Sequence, residues 1–320
     1  MEDKISVIIP VKNEEGSIKD LLDSLLDQTH KPDEIVITDG GSKDATVKII
    51  EEYIARGYPI KLIKTTHAYP GKARNLAVES SSYELIAMTD AGIKLDKNWL
   101  KELLRPLEEG HDLDVVYGNY EPVTDTFFKE CLAIAFVPAP RAVSGALMRL
   151  HFIASSLMKK KVWRSVGGFP DFRAAEDRIF MEKVGEGSFR IAFAPAAKVM
   201  WNIPSDFRSV FRRFSLYSMH DLMAGRYNDW HLAVIRMYLA AIAAVLLGVF
   251  VSPFWFIILA LAAIARILFT VINKTRDEGP LKKFNIAKVV LIGIIIIWID
   301  IAMFSGLIKY FMHRMAKGRA

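Results

Sequence analysis

Cysteine is nearly absent from this chain, with Cys131 the only one in 320 residues. That excludes a disulfide scaffold and a Cys-built zinc module, and it fits a reducing compartment. The seven histidines, at 30, 67, 111, 151, 220, 231 and 313, show no zinc-ligand spacing. No P-loop, nucleophile elbow or GxGxxG fingerprint occurs, which leaves phosphotransfer, serine hydrolysis and dinucleotide redox chemistry without support. The opening residues show no basic start followed by an apolar run, so no signal peptide is read and the N-terminal domain is expected in the cytosol.

Acidic residues are scarce in one place. Residues 231–320 hold 11 Lys+Arg against 3 Asp+Glu, whereas residues 1–230 hold 31 against 33. The net charge of +6 is therefore a near-neutral domain joined to a basic segment. The same segment is the more apolar one, which points to membrane rather than nucleic acid as the partner. Met237 to Ala265 is 29 residues without a charge, interrupted only by Ser252-Pro253. Since one crossing needs about 20 residues, the run and its flanks suit two helices, at about 233–251 and 254–272. A third apolar segment, about 289–308, contains Asp300. With the N-terminal domain inside, two crossings return the basic stretch 274–283 to the cytosol. A third crossing would send Lys309, Arg314, Lys317 and Arg319 outside, against the positive-inside rule. Two or three membrane helices are expected, the last either spanning or lying in the interface.

The first 120 residues alternate β-branched runs (Ile5–Ile9, Glu34–Thr38, Ile60–Lys64, Tyr83–Met88, Asp114–Tyr117) with amphipathic stretches near 16–27, 44–55, 71–80 and 98–107. Such alternation predicts an α/β domain with a mostly parallel sheet flanked by helices. From Glu121 to Ser165 the pattern is irregular. A helix is expected near 175–184, a short strand near 190–194, and an amphipathic interfacial helix near 205–227. The catalytic domain is expected to occupy residues 1–230 and the membrane region 231–320.

In parallel sheets ligands bind beyond the carboxyl ends of the strands. The loops there read Ile9-Pro10-Val11-Lys12-Asn13-Glu14-Glu15, Thr38-Asp39-Gly40-Gly41-Ser42, Pro70-Gly71-Lys72-Ala73-Arg74-Asn75 and Thr89-Asp90-Ala91-Gly92. Their carboxylates and Asn can pair with a base edge and ribose hydroxyls, while Lys72 and Arg74 can meet phosphate oxygens.

In order along the chain, VIIPVKNEE, DGGSKDAT, GKARN, TDAG and the later AEDRIF resemble a family 2 glycosyltransferase of the GT-A fold, over roughly residues 5–230. The resemblance implies transfer of a sugar from a nucleotide-diphosphate donor, UDP- or GDP-linked, with inversion. It places Pro10, Asn13 and Glu14 in the first nucleoside-binding loop and Asp39 at the base. Lys72 and Arg74 fall near the diphosphate, and Asp90 beside ribose and metal. Asp177, preceded by Glu176, matches the general base that deprotonates the acceptor hydroxyl. Gly92 departs from the family pattern, standing where a second acid belongs. A divalent Mg2+ or Mn2+ held by Asp90 and the diphosphate is one expectation; Lys94 neutralising the leaving group is the alternative. Arg212 and Arg213 are candidates for a donor-diphosphate or lipid-phosphate contact. The expectation is a multi-pass enzyme of the cytoplasmic membrane, its catalytic domain facing the cytosol, acting on a lipid-linked acceptor such as a polyprenyl phosphate or carrier-bound glycan. A small processive synthase and an inactive nucleotide-binding subunit are the rival readings.

Overall fold

The structure is a computed structural model describing residues 4–110, 112–143, 145–149, 152–275 and 286–317. His111, His151 and most of the basic stretch 274–283 lie outside the described residues. The chain forms two compact units, Met1–Val123 with Pro140–Asn202, and Thr124–Ala139 with Ile203–Ala320.

Among the described residues the first unit contains ten strands: β1 (Ile5–Val11), β2 (Glu34–Asp39), β3 (Ile60–Lys64), β4 (Leu85–Met88), β5 (Ile93–Leu95), β6 (Val115–Pro122), β7 (Arg141–Val143), β8 (Ala146–Met148), β9 (Ser156–Lys159) and β10 (Ile191–Trp201). Its helices are α1 (Ile18–Leu26), α2 (Thr46–Ala55), α3 (Pro70–Ser80), α4 (Trp99–Glu108), α6 (Lys160–Val166) and α7 (Glu176–Glu186). α5 (Phe127–Phe136) belongs to the second unit.

Eight strands form one sheet in the order β3-β2-β1-β4-β9-β6-β10-β5, and β7-β8 is a separate hairpin. β1 to β4 pair in parallel, β9 runs antiparallel between β4 and β6, and β10 is parallel to β6. β1 is buried along almost its whole length, as a central strand covered on both faces must be. α1 shows how the flanking helices attach: Ile18, Leu21, Leu22 and Leu25 repeat every three or four residues and all are buried. Beneath the sheet Ile8, Val36, Ile86, Tyr117, Phe169 and Phe180 meet in one core cluster.

The stretch that reads as irregular, 121–165, proves to hold α5, the β7-β8 hairpin, β9 and the start of α6. The expected short strand at 190–194 runs on to Trp201, with a register shift between Phe193 and Lys198 where Pro195 falls. A bulge accommodates a proline that would otherwise interrupt the ladder.

The second unit contains α5, α8 (Phe207–Met223), α9 (His231–Phe250), α10 (Phe254–Thr275) and α11 (Ile286–Lys317). The compact units divide at Asn202, and α8 falls in the second because it packs its buried face against α11. α8 begins with a capping box in which Asp206 and Ser209 satisfy each other's backbone amides. α9, α10 and α11 are each long and apolar enough to cross a membrane. α11 extends well past the expected 289–308. Asp300 is buried, accepting from both Arg266 guanidinium nitrogens at 2.6 and 3.0 Å and from the Tyr238 hydroxyl at 2.9 Å. The isolated charge read from the sequence is thus one half of an ion pair joining all three helices.

Candidate active site

The loops after β1 and β2 hold each other. Asn13, at a positive φ of 55°, accepts from the Lys43 amide at 2.8 Å and donates its own amide to Ser42 Oγ at 2.8 Å. The Glu14 amide donates to Thr46 Oγ1 at 2.7 Å. Asp39, buried at the end of β2, accepts from the Gly41 amide at 3.0 Å and from the Ser42 amide and hydroxyl. Gly41 is required here: its φ is +88°, and a Cβ would come within 2.3 Å of the Thr66 carbonyl oxygen. Pro10 is half-buried at the end of β1.

α3 supplies the centre of the site. Its Gly71 lies so close to the Pro170 carbonyl that a Cβ would sit 2.1 Å from the oxygen. This approach lets Arg74, 3% exposed, reach two carboxylates at once. Nη2 donates to Asp90 Oδ1 at 2.6 Å and Nη1 to Glu176 Oε1 at 2.8 Å. The guanidinium also stands 5.5 Å from the centre of the Phe169 ring. Burial opposes the charge on Arg74, but Asp90, Glu176 and Asp177 outweigh it and raise its pKa, so the group stays protonated. For Glu176, burial raises the pKa, opposed by Arg74 and reinforced by Asp177. Glu176 Oε2 and Arg74 Nε are buried without a hydrogen-bond partner among the described residues.

Asp177 follows in the first turn of α7 and is half-buried, its Oδ1 accepting from the Arg178 amide. α7 is entered through Ala175 at φ 71°, a left-handed conformation disfavoured for alanine and of the kind that collects at functional sites. The sequence reading missed Asn75. Its amide nitrogen donates to the Phe169 carbonyl at 2.7 Å, while Oδ1 accepts from Trp163 Nε1 and the Phe169 amide. Asn75 thus ties α3 to the turn that leads into the Glu176-Asp177 helix. Its place beside Arg74 in GKARN was the available signal.

Other expected residues stand apart from this network. Lys72 and Lys94 are exposed, Lys94 on β5 opposite Met200. Arg212 and Arg213 lie on α8 in the second unit. Gly92 has a φ of +78°, and a Cβ there would face Glu14 Oε2 at 4.0 Å.

Among the described residues no three His, Cys, Asp or Glu side chains cluster to hold a metal ion. Asp90 gives one oxygen to Arg74 and is about one-third exposed. The donor set therefore fits a cation held by one carboxylate and the phosphates of a substrate, as Mg2+ commonly is, and does not fit an all-protein cage.

Residues 6–161 match the model for glycosyl transferase family 2. This segment belongs to that family. The chain is 32% identical over 120 residues to the glycosyltransferase GlyA of Streptococcus pneumoniae, a match covering 38% of this chain and 17% of GlyA. It is 27% identical over 198 residues to the poly(ribitol-phosphate) beta-N-acetylglucosaminyltransferase TarS of Staphylococcus aureus, covering 59% of this chain and 34% of TarS. The matches thus span about a third of one relative's length and less of the other's. Among solved structures, the mannosyltransferase PcManGT from Pyrobaculum calidifontis, in complex with GDP-Man and Mn2+, superposes with a TM-score of 0.61 at 19% identity. That match covers 93% of this chain and 88% of PcManGT. The fold of the chain is the GT-A fold.

Proposed function

We propose that the chain is a membrane-anchored inverting glycosyltransferase that moves a sugar from a nucleotide-diphosphate donor to a lipid-linked acceptor. The observation carrying this reading is the Arg74 bridge. One buried cation joins Asp90, in the donor loop, to Glu176, beside the candidate base. Pro10, Asn13, Glu14 and Asp39 belong to the interlocked loops that would receive the nucleoside of a UDP or GDP donor. Lys72, exposed on α3 two residues before Arg74, would meet the diphosphate. Asp177 would take the proton from the acceptor hydroxyl as that oxygen attacks the anomeric carbon, and a half-buried carboxylate suits the role. Glu176 is poorly suited to it, since Arg74 already occupies one of its oxygens and burial shields it.

A divalent Mg2+ or Mn2+ held by Asp90 and the donor phosphates would neutralise charge on the leaving diphosphate. Lys94 remains the alternative for that task. Arg212 and Arg213 are offered to lipid phosphates. The catalytic unit is assigned to the cytosolic face of the cytoplasmic membrane. A lipid-linked acceptor is supported by three long apolar helices in the same chain.

The test is a screen of UDP- and GDP-sugars with the detergent-solubilised chain, with and without chelator, repeated for Asp177→Asn. The variant should lose transfer by at least about 100-fold, the scale of general-base catalysis, while donor binding survives. Undiminished transfer would remove Asp177 from the mechanism. No binding of any nucleotide sugar by the parent chain would refute the proposal as a whole.

A further inference from the structure

The contacts of α11 bear on a question that its hydropathy leaves open. α11 has 32 residues and is about 48 Å long, against about 30 Å of bilayer hydrocarbon. Residues 298–310 lie along the whole of α8. Trp298 Nε1 donates to the Phe207 carbonyl at 2.7 Å, and Ser218 Oγ to the Met303 carbonyl at 2.7 Å. Lys309 Nζ reaches Ser215 Oγ at 2.7 Å, and the Tyr227 and Tyr310 hydroxyls meet at 2.8 Å. The helices touch backbone to backbone at Gly306, where a Cβ would lie 2.4 Å from the Ser215 carbonyl oxygen. Wherever this half of α11 goes, α8 goes with it.

α8 carries Arg208, Arg212 and Arg213, which form no ion pair among the described residues. A spanning α11 would carry these guanidinium groups into hydrocarbon, a costly placement for cations without an ion-pair partner. The other half of α11 is also beside charge, since Lys288 pairs with Glu130 of α5 at 2.8 Å. On the uncovered side Val290, Ile294, Ile297, Ile301, Ile308 and Met312 are exposed at helical spacing along the length of the helix. The inward face of α11 is apolar too, with Ile295, Ile299 and Ala302 buried, but the α8 packed beside it carries the three arginines at its surface. The α8–α11 pair thus combines one exposed apolar stripe with a basic helix, the pattern of a layer lying in a membrane surface. α9 and α10 differ: they expose apolar side chains on nearly every side, and they meet α11 through the Tyr238–Arg266–Asp300 cluster, the Tyr238–Phe304 ring pair and Ile267 against Gly293.

We infer that α11 does not cross the bilayer. It lies in the plane of a lipid surface, its isoleucine stripe against the acyl chains and α8 above it at headgroup level. The α9–α10 hairpin alone inserts. Lys309, Arg314 and Lys317, at the end of α11, then stay on the same side as Lys274 at the end of α10, which removes the conflict with the positive-inside rule.

Depth measurements on the full chain in phospholipid vesicles test this. Single nitroxides at Val290→Cys, Ile297→Cys and Ile308→Cys, in a Cys131→Ala background, should report depths within a few ångströms of each other. A crossing helix would separate the first and last labels by about 27 Å, and that result overturns the inference. A second measurement does not depend on the stripe variants. In sealed vesicles a membrane-impermeant maleimide should label Ala316→Cys from the same side as Lys101→Cys on α4. Labelling from opposite sides would equally overturn it.

Discussion

Removing the buried cation at the centre of the site tests the role assigned to it. Arg74→Met keeps most of the side-chain volume but leaves Glu176, 5% exposed, without its counter-ion. Breaking a buried pair by deleting one partner costs about 3–5 kcal/mol. Asp90 is more exposed and adds less, because water takes over its solvation. For a unit of this size such a loss lowers the melting temperature on the order of 10 °C. Arg74→Met/Glu176→Met replaces the pair with apolar groups and should recover most of that stability, because no uncompensated charge is left behind. Sugar transfer should not recover, since Asp90 and the α7 terminus are no longer joined. Thermal unfolding of the detergent-solubilised chain and a transfer assay on the same preparations measure both effects. A single variant that melts with the parent would refute the claim that Arg74 is a structural bridge. A double variant that regains activity would refute its link to catalysis.

Two further outcomes follow from the first unit. Gly71→Ala should cost about 1–3 kcal/mol, because its Cβ would meet the Pro170 carbonyl and push α3 off α7. Gly16→Ala, which meets nothing within 4 Å, is the control that should stay near the parent in the same melts. Asp114 is held down to about 2: burial pushes its pKa up, but the Arg190 amide and the Lys161 ammonium more than reverse that. A depressed carboxylate stabilises above its unfolded value and loses the contribution as pH falls toward the folded one. Asp114→Asn should therefore cost about 2 kcal/mol at neutral pH, and the gap to the parent should close between pH 4 and pH 2. A gap unchanged across that window would show that the Asp114 pairing is not the cause.

β1, β2 and β3 were legible because each is a short run rich in isoleucine and valine or leucine, followed by its own helix. Ile5–Ile9, Glu34–Thr38 and Ile60–Lys64 all read correctly within two residues. β9 was not legible. Ser156–Lys159 is four residues long, and what makes it a strand is antiparallel pairing with β4 on one side and β6 on the other. α5 was hidden among prolines, and its place in the second unit depends on contacts with α10 and α11, far away in sequence. In the site, the residue types could be picked out by their loops, but not how they join. Nothing local shows that Arg74 pairs with a residue 102 positions away, or that Asn75 carries the turn before α7.

By itself the sequence determined the α/β character of the first unit, the loops at the carboxyl ends of its strands, and the presence of long apolar helices. These follow from periodicity, turn residues and composition, which act over a few residues. Only the tertiary structure decided that α8 travels with α11, that Asp300 is neutralised by Arg266, and that a single buried guanidinium joins Asp90 to Glu176. Each of these is a pairing of charges or faces between distant segments, and its energy exists only once the chain has brought them together.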